Sequence, residues 1–248
     1  MKFHVVIPAR FSSQRLPGKP LLDIKGHPMI WHVYQRAIES AANDVVLATD
    51  DTRIAHAAEK FCPRVCMTSE AHQSGTDRIA EVAQQLGWHD DEIVVNLQGD
   101  EPLMPPALLN QVAAALNAHP EAAMATLAVQ LDDDDQVFDS NAVKVVTDQN
   151  GMALYFSRAP IPWRRGEFES ARPSTEGMLR HLGIYAYRVG FLRRYVTWST
   201  APIEEAESLE QLRVLWHGER IAVDIAHEAP PPGVDTQEDF ERLLKHLN

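Results

Sequence analysis

The chain has 248 residues, 45% of them hydrophobic and 23% charged, which suits one sizeable globular α/β unit and excludes general disorder. Lys and Arg number 23 against 35 Asp and Glu, a net charge of −12, and positive charges cluster only in pairs, so nucleic-acid backbones and anionic membrane surfaces would repel the chain and are not expected partners. No stretch approaches the ~18 apolar residues of a membrane span, and Met1–His4 shows no cationic leader or long apolar segment, so the expected location is the cytoplasm.

The first half alternates short apolar runs with helical patterns. Residues 5–7, 45–48, 93–97 and 123–129 are apolar without in/out alternation, the pattern of strands covered on both faces in a parallel sheet. Between them, Met29, Ile30, Val33, Tyr34 and Ala37 form one helical stripe, and Ile54, Ala57, Ala58 and Phe61 another. Ile79, Val82, Ala83 and Leu86 make a third, closed by Gly87, and Pro105-Pro106 opens a fourth through Leu108, Leu109 and Val112. This alternation predicts an open α/β sheet with right-handed crossovers, whose ligands sit at the carboxyl ends of the strands. Residues 8–19, 49–51 and 98–101 occupy those ends. Cys62 and Cys66, spaced C-x3-C, match no common zinc pattern and read as two reduced thiols.

From about residue 132 the rhythm changes. The acidic run 132–135 reads as a solvated loop. Residues 143–146, 153–156 and 182–187 read as strands of a second, mixed sheet, followed by a helix through Leu209, Leu212 and Leu215, a strand at Ile221–Ile225, and a helix after Asp235-Thr236. The expected division is a nucleotide-binding core over 1–131, a smaller subdomain over 132–200 and a return to the core over 201–248.

The segment from Pro8 to Leu21 follows the first strand and holds three cations, Arg10, Arg15 and Lys19, beside Ser12 and Ser13. It lacks the Walker A and G-x-G-x-x-G patterns, yet hydroxyls, backbone N–H groups and fixed cations suffice for a polyphosphate. Asp100 follows the third strand through Gln98-Gly99, at the carboxyl end where ligands of such sheets sit. Asp235, just ahead of a helix, reads first as an N-cap. Glu101 is the weaker acid candidate, with its backbone tied down by Pro102. Arg78 suits either a nucleotide contact or a pair with Asp77. His181 and Tyr185, at i and i+4 on a strand, point to one face.

Pro8-Ala9-Arg10, then Ser13, and Arg15-Leu16-Pro17-Gly18-Lys19 resemble the signature of sugar-activating nucleotidylyltransferases. His72-Gln73-Ser74-Gly75-Thr76-Asp77-Arg78, Asn96-Leu97-Gln98-Gly99-Asp100-Glu101-Pro102 and Arg180-His181-Leu182-Gly183-Ile184-Tyr185 narrow the match. So do Tyr155-Phe156-Ser157-Arg158, Leu209-Glu210-Gln211-Leu212-Arg213 and Gly233-Val234-Asp235-Thr236. Nearly end to end, the chain is similar to the 3-deoxy-manno-octulosonate (Kdo) cytidylyltransferase family of lipopolysaccharide biosynthesis.

That resemblance implies a Rossmann-like nucleotidyltransferase fold, with a mostly parallel open sheet and a smaller mixed-sheet dimerisation subdomain. It implies Mg²⁺-assisted attack of the Kdo anomeric hydroxyl on the α-phosphorus of CTP, and a homodimer. Arg10, Lys19, Asp100 and Asp235 are the implied catalytic residues, the two aspartates holding Mg²⁺. Pro8, Ala9, Arg10, Ser13, Arg15, Lys19, Ser74, Gly75, Arg78 and Gln98 are the implied nucleotide contacts. Arg158, His181, Tyr185, Glu210 and Gln211 are the implied sugar contacts. Two competing readings are a cytidylyltransferase for another acidic sugar, such as sialic acid, and a non-catalytic nucleotide-binding protein.

Overall fold

Nine strands, counted among the described residues, form one sheet, and helices cover both of its faces. The computed structural model describes residues 1–12, 16–72, 74–131, 133–168 and 174–247. In chain order the strands are β1 (Phe3–Ala9), β2 (Asp23–Ile24), β3 (His27–Pro28), β4 (Asp44–Thr49), β5 (Val65–Met67) and β6 (Ile93–Asn96). They continue with β7 (Met124–Gln130), β8 (Lys144–Thr147), β9 (Ala153–Ser157), β10 (Leu179–Arg188) and β11 (Ile221–Ile225). The helices are α1 (Met29–Ile38), α2 (Thr52–Ala58), α3 (Gly75–Gln85), α4 (Pro106–Ala118), α5 (Val189–Tyr195), α6 (Pro202–Glu207), α7 (Leu212–Trp216) and α8 (Gln237–His246). β2 and β3 form a separate small antiparallel ladder.

Across the main sheet the order is β11-β7-β10-β6-β1-β4-β5, with β8 and β9 attached through β10. Strands β1, β4, β5 and β6 are parallel, as are β7 and β11. The chain leaves β1 for β4 on one side and later returns to β6 on the other. Binding crevices of open α/β sheets form at such a reversal.

The continuous apolar runs arise because both faces are covered. Phe3, Val5 and Ile7 pack under α1, α2 and α4, while Val6 meets α3 and α5 on the opposite side. All four are at most 1% exposed. Each such burial is worth about 1.5–3 kcal/mol relative to exposure. Pro8 lies within β1 instead of stopping it. Its missing N–H costs nothing, because the ladder to β6 ends at Val6, whose carbonyl accepts from Leu97 N at 3.1 Å.

The expected second sheet does not stand apart. Residues 182–187 belong to β10, which inserts antiparallel between β6 and β7 at the centre of the main sheet. Only β8 and β9 extend outward, pairing with the start of β10. Helix α5 likewise packs on α3 in the main core. The strand pattern alone could not reveal this, because a buried run looks alike in either sheet. Within the acidic run, Asp133 accepts from Asp135 N at 3.0 Å and opens a short 3-10 turn; Asp132 lies outside the described residues.

Candidate active site

Beyond Asn96 the strands β1 and β6 part, and a cleft of about 320 Å³ opens between their carboxyl ends. It is lined by Pro8, Ala9, Arg10 and Ser12 after β1, by Lys19 and Pro20, by Gly75, by Gln98, Gly99 and Asp100 after β6, and by Asp235. Gly99 passes directly over β1: a Cβ there would stand 2.8 Å from the Pro8 carbonyl oxygen, so no larger residue fits without moving backbone. Gly75 faces Pro8 and the Gln98 amide across the cleft, at 3.5 and 3.7 Å from where its Cβ would be.

Arg10 donates to the carbonyls of His72 at 2.6 Å and Ser74 at 3.1 Å, fastening the loop after β1 to the entry of α3. Burial lowers its pKa, and the nearby Arg78 acts the same way; Asp50, Asp77 and Glu210 oppose them. Ser74 caps α3 through a reciprocal box with Asp77. The first turn of that helix therefore presents backbone donors and the positive end of its dipole beside Arg10, a setting that favours an anion.

At the other end of the cleft, Lys19 Nζ donates to Asp100 Oδ2 at 2.7 Å and to Asp235 Oδ1 at 3.2 Å. The two acids are 135 positions apart in sequence (235 − 100) and are joined through Val234 N, which bonds the Asp100 carbonyl at 2.9 Å. Asp235 is not the N-cap of the helix that follows it. Thr236 caps α8, its hydroxyl accepting from Asp239 N at 3.2 Å, and the Asp235 carboxylate is turned to Lys19.

Glu101 does not turn away from this cluster. Its carboxylate lies against Gly233, where a Cβ would come within 2.8 Å of Oε1. Desolvation, then repulsion from Asp100 and Asp235, pushes its pKa up to about 8, with Lys19 opposing. Asp100 and Asp235 are two hard oxygen donors brought together by Lys19, and Mg²⁺ takes one or two protein carboxylates and completes its shell with phosphate or water.

A second, smaller cavity of about 50 Å³ lies on the far side of the α3 N-terminus, lined by Thr76, Tyr185, Tyr187, Tyr195, Glu210, Gln211 and two apolar residues. Glu210 Oε1 accepts from the Tyr195 hydroxyl at 2.9 Å. Gln211 is buried, and its Nε2 has no hydrogen-bond partner. An unmet donor of this kind costs about 1–3 kcal/mol until something pairs with it. His181 packs beside Tyr185, ring centroids 5.4 Å apart, so the same-face placement holds across a bulge between Leu182 and Tyr185. Its Nε2 lies 3.1 Å from the Thr126 hydroxyl, which donates to the carbonyls of Leu182 and Ile184; the imidazole is thus the donor. Burial lowers its pKa to about 3 and keeps it neutral.

Two expected contacts stand elsewhere. The Arg78 guanidinium is fully buried against Asp50, at 2.6 Å, and the Thr68 hydroxyl, and does not line the cleft. Neither is it paired with Asp77, whose carboxylate is taken by the α3 cap. Arg158 is also absent from the small cavity: its side chain donates to the carbonyls of Glu207, Ser140 and Ser208 and so braces the turn leading to Glu210. Ser13 and Arg15 lie outside the described residues. Ser12 lines the cleft beside Arg10 as expected, whereas Gly99, Thr76, Tyr187 and Tyr195 line the two spaces without having been expected there. Of these only Tyr187 carried a signal, standing two residues from Tyr185 and hence on the same strand face.

A cleft at the switch point with two converged aspartates at one end, and a small cavity behind the same helix terminus, is an arrangement that suits a nucleotidyltransferase. Residues 4–221 match the family profile described as cytidylyltransferase. The chain is 57% identical over 246 residues to 3-deoxy-manno-octulosonate cytidylyltransferase of Vibrio vulnificus (strain YJ016), covering 99% of this chain and 98% of that protein. It is 58% identical to the Hahella chejuensis enzyme of the same name, covering 97% and 96%. The solved structure of CMP:2-keto-3-deoxy-manno-octonic acid synthetase complexed with CTP superposes with a TM-score of 0.90 at 42% identity, over 100% of this chain and 98% of that one. At 15% identity and a TM-score of 0.63, 4-diphosphocytidyl-2C-methyl-D-erythritol synthase shares the fold, with 100% and 99% covered. The chain belongs to the cytidylyltransferase family, among its 3-deoxy-manno-octulosonate cytidylyltransferases.

Proposed function

We propose that the protein activates Kdo with CTP, releasing CMP-Kdo and pyrophosphate, that it requires Mg²⁺, and that it works as a homodimer in the cytoplasm. The observation that carries this reading is the division of labour at the start of α3: Gly75 lines the cleft and the next residue, Thr76, lines the small cavity with Glu210 and Gln211. Nucleotide and acceptor therefore meet across one helix terminus, where the α-phosphorus must be attacked.

In this reading the triphosphate lies along the cleft between Arg10 and Lys19, its oxygens meeting these cations, the Ser12 hydroxyl and the N–H groups of the α3 first turn. Gln98, beside Gly75, offers an amide donor and a carbonyl for cytosine. Asp100 and Asp235 would hold the Mg²⁺, which supplies positive charge to phosphate oxygens when bound. Lys19, already bridging both carboxylates, keeps them converged and leaves its remaining proton for phosphate. Glu210 and Gln211 receive polar groups of Kdo, and Tyr185 and neutral His181 form the adjoining wall. Held there, the anomeric hydroxyl attacks the α-phosphorus in line, the new C–O–P link forms, and pyrophosphate departs opposite it. Positioning of this kind supplies several kcal/mol of the barrier reduction. Exposed apolar side chains on the β8–β9 extension and the loop after it, Leu154 at 61% and Trp163 at 65%, support pairing with a second copy.

Pyrophosphate release from CTP, measured with Kdo, sialic acid and other acidic sugars with and without Mg²⁺, tests the assignment. Release with Kdo and Mg²⁺ alone is expected. Faster turnover of sialic acid would overturn the choice of acceptor, and turnover undiminished by chelation would overturn the metal.

A further inference from the structure

Among the described residues, Glu210 is the one carboxylate lining the acceptor cavity, and what fixes it is a residue from another part of the chain. Tyr195 ends α5, is 2% exposed, and donates its hydroxyl to Glu210 Oε1 at 2.9 Å. Its ring is covered by the Arg213 guanidinium, 4.8 Å from the ring centroid. Arg213 is in turn held by both carboxylate oxygens of Glu204, at 2.6 and 2.8 Å. Glu204 is itself buried and anchored by Ala201 N at 3.0 Å. The turn that carries Glu210 inward passes through Ser208, left-handed at φ 51, and is braced by Arg158 on the carbonyls of Glu207 and Ser208.

A carboxylate on a free side chain samples several rotamers, and ordering it on binding costs affinity. Here one oxygen is already engaged, so the other faces the cavity in a set direction. We propose that Tyr195 is a positioning residue for acceptor recognition: it orients Glu210 so that the carboxylate accepts hydrogen bonds from sugar hydroxyls. The inference rests on the reading of the cavity as the Kdo site. A tyrosine present only to fill the core would be replaceable by phenylalanine without kinetic effect, and that contrast makes the role testable.

The experiment is Tyr195→Phe, assayed for both Michaelis constants, kcat and Tm, with wild type and Glu210→Gln alongside. The expected result is a KM for Kdo raised about tenfold, a KM for CTP within twofold of wild type, and almost no further rise in KM for Kdo when Tyr195→Phe is added to Glu210→Gln. A fall in Tm with both constants unchanged overturns the proposal, as does a full multiplication of the two effects in the double variant, which would mean that Tyr195 acts independently of Glu210. Should Tyr195→Phe not fold, Arg213→Lys loosens the ring while keeping the charge; KM for Kdo should then rise about threefold, and no change overturns the proposal. A wild-type protein that makes no pyrophosphate from CTP and Kdo overturns the underlying reading and this inference with it, whereas normal wild-type turnover with an indifferent Tyr195→Phe overturns the inference alone.

Discussion

Replacing Lys19 by methionine keeps the stem that fills its buried site and deletes only the charge. The ammonium is 2.7 Å from Asp100 and 3.2 Å from Asp235, so at an effective dielectric near 20 the gross attractions are about 6 and about 5 kcal/mol. Most of this does not survive as net stability. Burying the lysine is costly, and the two carboxylates are 30% and 47% exposed, so water screens them. The net loss expected on urea denaturation is about 2 kcal/mol, below the 3–5 kcal/mol of a fully buried broken pair. The functional loss should be more selective. One charge-assisted bond to phosphate is worth about 1.5–3 kcal/mol, hence a CTP dissociation constant raised roughly 10- to 100-fold by titration calorimetry. The KM for Kdo should stay within about threefold, since the acceptor cavity lies behind α3. A Lys19→Met protein of wild-type stability whose CTP affinity moves less than about threefold would refute both halves of the argument. A collapse of Kdo affinity with CTP affinity intact would place the phosphates elsewhere.

Further expectations concern other parts of the two spaces. Asp100→Asn and Asp235→Asn should each lower turnover more than tenfold, at least ~1.4 kcal/mol of transition-state stabilisation, with Mg²⁺ titrations showing weaker dependence; retention of a tenth of wild-type activity by either would remove it as a ligand. Gly99→Ala places a methyl 2.8 Å from the Pro8 carbonyl, so backbone must shift, at a cost of about 1–3 kcal/mol and with poorer CTP binding; an unchanged melting curve and CTP affinity would contradict the close approach. His181 is held near 3 in the folded chain against 6.5 unfolded, so the unfolded state binds the extra proton. Its contribution is complete above pH 6.5 and lost as pH falls toward 3, with a slope up to about 1.4 kcal/mol per pH unit. Denaturation of His181→Asn and wild type between pH 7 and 4 should show the slope reduced in the variant; parallel curves would mean that the imidazole titrates normally.

Much of the cleft was legible because its pieces are local. Pro8, Ala9, Arg10 and Lys19 leave one strand, Gln98 and Asp100 leave another, and the switch-point rule places both ends together. Glu101 was underrated for a physical reason: nothing in its neighbourhood of sequence announces that Gly233 and Asp235 will be packed against it. Arg78 and Arg158 are the opposite case. Each stands in a motif of the family, yet each guanidinium is spent on the protein itself, Arg78 on Asp50 and Arg158 on three carbonyls.

Apolar runs, helix stripes and caps were enough to establish an open α/β sheet, because backbone periodicity and burial are short-range properties that side-chain type records directly. The motifs were enough to place the chain, by resemblance, with the sugar-activating nucleotidylyltransferases. Long-range packing alone decided the rest. It inserted β10 into the central sheet, let Thr236 take the helix cap so that Asp235 could meet Asp100 through Lys19, and brought Tyr195 to Glu210. These pairings join segments far apart in the chain, and their energies depend on distance and burial, quantities that exist only once the core has closed.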